Sequence, residues 1–184
     1  QMGDLLFYLA LGVILGGRFG YVIFYNFDVF LADPLWLLRV WEGGMSFHGG
    51  ALGVILAGLF YTWRHRIPVI STGDMVCLGL APGLFLGRLA NFINAELWGR
   101  PTDLPWAVAF PGTAAQDCGQ PAGELCGRHP SQLYEAGLEG VLLGALLLWL
   151  ALARGWLKTP GRIAAMFFAG YGAARFFVEF FRQP

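Results

Sequence analysis

The chain has 184 residues, of which 57% are hydrophobic, 16% aromatic and 13% charged, and its basic and acidic residues balance to a net charge of zero. Together with a mean hydropathy of +0.57, this excludes a water-soluble globular domain and implies an integral membrane protein. A balanced charge without a basic run, a zinc-finger spacing or a phosphate-loop motif sets nucleic-acid binding aside.

Five apolar stretches of about 20 residues have the length that a bilayer core demands: about 5–25, 47–63, 73–95, 131–153 and 161–181. The first lacks a basic flank and a small-residue cleavage site, so it reads as a mature helix rather than a signal peptide. After it, "ADPLWLLRVWE" has Asp33 as an N-cap, Pro34 at the first helical position, and Trp36, Leu37, Val40 and Trp41 at helical spacing. That predicts a short helix lying in the membrane interface. Glycines inside the spans let helices approach closely, so the expected fold is an all-α polytopic membrane protein, a compact transmembrane helical bundle forming one domain over 1–184.

The connection at 64–72 carries Arg64 and Arg66, and that at 154–162 carries Arg154, Lys158 and Arg162. The longer, Pro/Gly-rich segment at about 96–130 has only Arg100 and Arg128. By the positive-inside rule the two short loops are cytoplasmic, and 96–130 is an extracytoplasmic (periplasmic) head. Cys118 and Cys126 lie in that head, either joined by a disulfide in an oxidising compartment or as two unpaired thiols. With His129 they match no zinc template, so no metal is expected, and Cys77 near the inner end of its span reads as packing.

Once each helix has an outer end, depth follows at about 1.5 Å per residue. Arg18, Arg88 and Arg175 each lie about seven residues before the outer end of their spans, hence at one level roughly 10 Å inside. His48 opens the second span from the same side, Glu135 and Glu139 enter the fourth, and Glu179 is one turn outward of Arg175. An isolated ion pair would explain one of these arginines as structural. Three at one level, each costing about 2.5–3.5 kcal/mol in the membrane, point to a polar cavity whose guanidinium groups take an anion, with phosphate the best match to their fork. In "GGMSFHGG", two Gly-Gly pairs bracket His48 and permit close backbone approach at the cavity mouth.

"GGMSFHGG", "GRLANFINAELWGR", "HPSQLYEA" and "RFFVEFFR" resemble, in order and spacing, the motifs of bacterial prolipoprotein diacylglyceryl transferase, and "GGRFGYVIFYN" is similar to its early helix. The resemblance covers nearly the whole chain. It implies a seven-helix membrane enzyme of which the five spans would be the second to sixth, so that terminal helices lie outside this sequence and the chain is expected to be a segment of a longer protein.

The implied reaction transfers the diacylglyceryl group of phosphatidylglycerol to the lipobox cysteine thiol of a preprolipoprotein, without a cofactor, in the bacterial inner membrane with the site in its periplasmic half. The family's functional positions fall here on His48, Arg88, Asn91, Glu96, Gly99, Arg175 and Glu179, with Arg18, Tyr134 and Glu135 at further motif positions. Arg88 and Arg175 would stabilise the departing phosphate, Asn91 would bond the lipid head, Glu179 would hold Arg175, and His48 would either take the thiol proton or only orient the lipid. Two other readings stand beside this one. An anion transporter or channel would need a polar path to the cytoplasmic face, whereas the charges are confined to the outer half. A lipid-binding subunit without chemistry is set against only by the motifs.

Overall fold

The computed structural model describes residues 2–121 and 124–183. Helices dominate, with no strand among the described residues. In chain order they are α1 (Met2–Tyr25), α2 (Phe27–Ala32), α3 (Phe47–His65), α4 (Val69–Ile93), α5 (Thr113–Gln116), α6 (Ser131–Leu152) and α7 (Arg162–Glu179). Each of the five predicted spans coincides with a helix. α4 begins four residues earlier than the hydropathy pattern suggests and stops two earlier, at Ile93. Three helices are long and apolar enough to cross a membrane: Gly3–Tyr25, Val69–Ile93 and Ser131–Leu152. Leu6, Phe7, Leu15, Leu56, Leu148 and Leu152 point outward and exposed, as lipid-facing side chains do.

The chain forms two compact units, residues 1–69 and 70–184. In the first, α1 and α3 meet along a stripe of small residues. A Cβ added to Gly20 would lie 2.8 Å from the Gly49 Cα, and one at Gly16 would lie 2.8 Å from the Gly53 Cα, so only bare backbone permits this approach. Asp33 caps as predicted, its carboxylate accepting from Leu35 N at 3.2 Å. The turn it starts is 3₁₀ over Pro34–Leu38 rather than α, because Arg39 breaks away (φ −82°, ψ 65°) before a second short 3₁₀ turn at Val40–Glu42.

The second unit is built on α4, α6 and α7. Cys77 of α4, Leu143, Leu147, Leu150 and Ala151 of α6, and Ile163 and Phe167 of α7 form its apolar core. Cys77 is therefore packing, as predicted. Close to this core, the buried Asp74 carboxylate accepts from Gly161 N at 2.7 Å and from Ala164 N at 2.8 Å, satisfying amides at the start of α7. Above it sits the head, tied by a Cys118–Cys126 disulfide and by the buried Arg128. The Arg128 guanidinium donates to Ala115 O (2.5 Å), Asp117 O (3.2 Å), Gly99 O (3.3 Å) and the Gln183 side chain. Its burial lowers its pKa, against the raising effect of Asp117.

Candidate active site

α6 changes pitch where its polar side chains lie, running as a π-helix over Ala136–Leu142. A widened turn of this kind is rare and is frequently found at functional sites. The α6 stretch from Ser131 to Glu139 directs its buried polar groups to different partners. Ser131 Oγ donates to Leu97 O at 3.0 Å and Gln132 Nε2 donates to Glu96 O at 2.5 Å, pinning the loop that follows α4. That loop has left-handed backbone at two non-glycine residues, Ala95 (φ 55°) and Leu97 (φ 56°). Such backbone costs about 1–2 kcal/mol per residue and persists only where its surroundings enforce it.

Glu135 is the hub of an ion network. Its Oε2 lies 2.9 Å from Arg88 Nε, its Oε1 accepts a short hydrogen bond from Arg175 Nη1, and Arg182 Nε is 3.8 Å from the same Oε1. Glu139, fully buried, lies 3.6 Å from Arg88 Nη2. At the rim Glu179 is 3.1 Å from Arg175 Nη2 and 3.7 Å from Arg182 Nη1. Neither oxygen of Glu139 has a hydrogen-bond partner, and the Arg88 Nε–H is close to Glu135 without being aligned with it. These groups are held by charge rather than by saturated hydrogen bonds, which leaves donor and acceptor capacity inside the site. Three guanidinium groups thus face three carboxylates, where the depth argument anticipates a cationic lining. The difference has a physical reason: unpaired cations in a low-dielectric interior are too costly, so the carboxylates of α6 and α7 offset them.

The remaining predicted residues fall around or apart from this network. Asn91 Nδ2 donates to Glu96 Oε2 at 3.4 Å, one turn along α4 from Arg88. Gly99 is buried, bonded to His129 O through its amide at 2.9 Å and bridged to Arg182 on its other side. A Cβ there would meet both the Cβ and the carbonyl oxygen of His129 at 2.7 Å. The Tyr134 hydroxyl accepts from Trp106 Nε1 at 2.8 Å and lies 3.1 Å from His129 Nδ1, which it can serve as a donor. Burial holds His129 below the ordinary histidine pKa. His129, Tyr134, Leu104, Trp106, Phe177 and Phe181 line an apolar cleft of about 270 Å³.

Two predicted residues belong to the first unit. His48 is exposed on the first turn of α3, its ring edge-on to Phe47. Arg18 is buried and its donors are spent on backbone: Leu37 O (3.0 Å), Trp36 O (2.6 Å), Gly43 O (2.5 Å) and Gly44 O (3.3 Å), with its guanidinium 4.4 Å from the Trp36 ring. It organises the 34–44 turns. Sequence reasoning passed over Arg182, Ser131 and Gln132. The signal for Arg182 was available in "RFFVEFFR", where residues 175, 179 and 182 share one helical face.

The family model for prolipoprotein diacylglyceryl transferase matches residues 1–184. Proteins named phosphatidylglycerol–prolipoprotein diacylglyceryl transferase are 65% identical to this chain in Roseobacter denitrificans and 64% in Ruegeria pomeroyi, each across all of this chain and 62% of the relative. One from Cereibacter sphaeroides is 60% identical across all of this chain and 63% of the relative. The chain therefore spans somewhat under two thirds of the length of these relatives. All three are named as transferases, which leaves the transport reading without support.

Proposed function

We propose, for a chain that belongs to the prolipoprotein diacylglyceryl transferase family, that it carries the central catalytic part of an enzyme moving the diacylglyceryl group of phosphatidylglycerol onto the lipobox cysteine of a prolipoprotein. The five long helices span the bacterial inner membrane, and the ion network lies in its periplasmic half. The observation that carries the reading is the convergence of Arg88 and Arg175, from two helices, on the buried Glu135.

In this reaction the peptide thiolate attacks the terminal glyceryl carbon. A C–S bond forms, the C–O bond to phosphate breaks, and glycerol phosphate leaves with the electron pair. The protein's task is to stabilise charge on the departing phosphate, which planar guanidinium groups held in place beforehand do well. Arg88 and Arg175 serve that purpose. Asn91 and Glu96 receive the lipid head, Glu179 pairs with Arg175 in the ligand-free protein, Tyr134 and Gly99 anchor the 96–130 segment, and the family resemblance gives His48, in the first unit, the role of accepting the thiol proton. Arg18 orders the 34–44 turns of the first unit.

The test is a mass measurement. Protein in vesicles containing phosphatidylglycerol is incubated with a lipobox peptide, and the peptide should gain one diacylglyceryl group with release of glycerol phosphate. A peptide with serine for the cysteine should gain nothing. An unmodified cysteine peptide alongside folded protein would sink the reading.

A further inference from the structure

Arg175 and Arg182 are bracketed by the same two carboxylates, and the two differ in kind. Glu135, with a side chain 2% exposed, contacts both guanidinium groups from within the protein. Glu179, 55% exposed, contacts both from the rim. Arg182 is also fixed through its main chain, which bridges Gly99 and accepts from Arg100 Nε at 2.7 Å. Its backbone is thereby anchored at the site, and its guanidinium stands near both carboxylates.

We propose that Arg182 is a second phosphate-binding arginine, and that Glu179 occupies the phosphate seat in the ligand-free protein and swings away when the lipid phosphate enters. The inference rests on the reading of this site as one that handles phosphatidylglycerol. A carboxylate and a phosphate present the same acceptor geometry to a pair of guanidinium groups, so one can replace the other on the same donors. Glu135 is enclosed and remains as the fixed counter-charge, whereas Glu179 has solvent-facing room to move. With Glu179 in place the three arginines and three glutamates cancel. With it withdrawn the site gains one net positive charge, which is the state an anion requires.

Binding of glycerol phosphate and of inorganic phosphate to the purified protein in nanodiscs tests this, with transfer to a lipobox peptide measured in parallel. Glu179→Gln keeps the shape and removes the competing charge, and it should tighten binding of both probes by about tenfold. Arg182→Gln should weaken both by a similar factor, Arg182→Lys should recover only part, and the double variant should lose the gain of Glu179→Gln. Folded Glu179→Gln protein that binds phosphate no tighter than the parent, or an Arg182→Gln variant that binds it equally well, overturns the proposal. The two readings fail separately. Predicted changes in phosphate binding by a protein that never modifies the peptide would leave the phosphate seat standing and remove the transferase reading; transfer with unchanged binding would do the reverse.

Discussion

Arg88 Nε sits 2.9 Å from Oε2 of Glu135, a pair drawn from α4 and α6 with both side chains largely out of solvent. Removing one member of such a pair leaves the other as an uncompensated buried charge, which costs about 3–5 kcal/mol. Arg88→Ala is therefore expected to lower both stability and transfer. Arg88→Lys should restore much of the unfolding midpoint but little of the transfer rate, because a point charge does not reproduce the planar fork. A lysine variant with parental transfer would refute the bidentate role.

Gly99 lies between the His129 backbone and residue 182. With a clash of 2.5 Å against the Phe181 carbonyl oxygen and clashes of 2.7 Å on the His129 side, Gly99→Ala must push the head away from the end of α7. The expected result is a loss of about 1–3 kcal/mol and faster proteolysis between residues 100 and 128. Unchanged protease resistance would show that the two segments separate at little cost.

Asp74 caps α7 from within α4. Asp74→Ala should cost about 1–2 kcal/mol, and Asp74→Asn less, since an amide oxygen still accepts from one of the two backbone donors. Transfer measured well below the unfolding temperature should stay near the parental level in both. An alanine variant as stable as the parent would mean that the two amides find other acceptors.

His129 supplies a pH dependence whose sign follows from its burial, which holds its folded pKa below the ordinary value. Below about pH 6.5 the unfolded imidazole binds a proton that the folded one resists, so the unfolded state carries more protons. Stability is complete above that pH and declines as the pH falls toward the folded pKa. Unfolding midpoints across this range should drop for the parent and drop less for His129→Gln. Equal slopes would show that other groups govern the acid limb.

Helices at all five predicted stretches were legible from their apolar patterning, and three of them are long and apolar enough to cross a membrane; the arginines were legible because charge is rare in such stretches. Asp33 before Pro34 announced its own turn, and the family motifs singled out "HPSQLYEA" and "RFFVEFFR" as chemistry. Which charges pair was decided only by tertiary structure. Arg18 and Arg88 read alike at equal depth, yet Arg18 meets carbonyls of the turns that follow its helix while Arg88 meets two carboxylates from α6. Pairing depends on helix rotation and on the π-helical stretch of α6, and neither leaves a hydropathy signal. Arg182 was legible in part: its place beside Glu179 follows from the helical spacing of "RFFVEFFR", whereas its approach to Glu135 of α6, with its main chain bridged to Gly99, was decided only by tertiary packing.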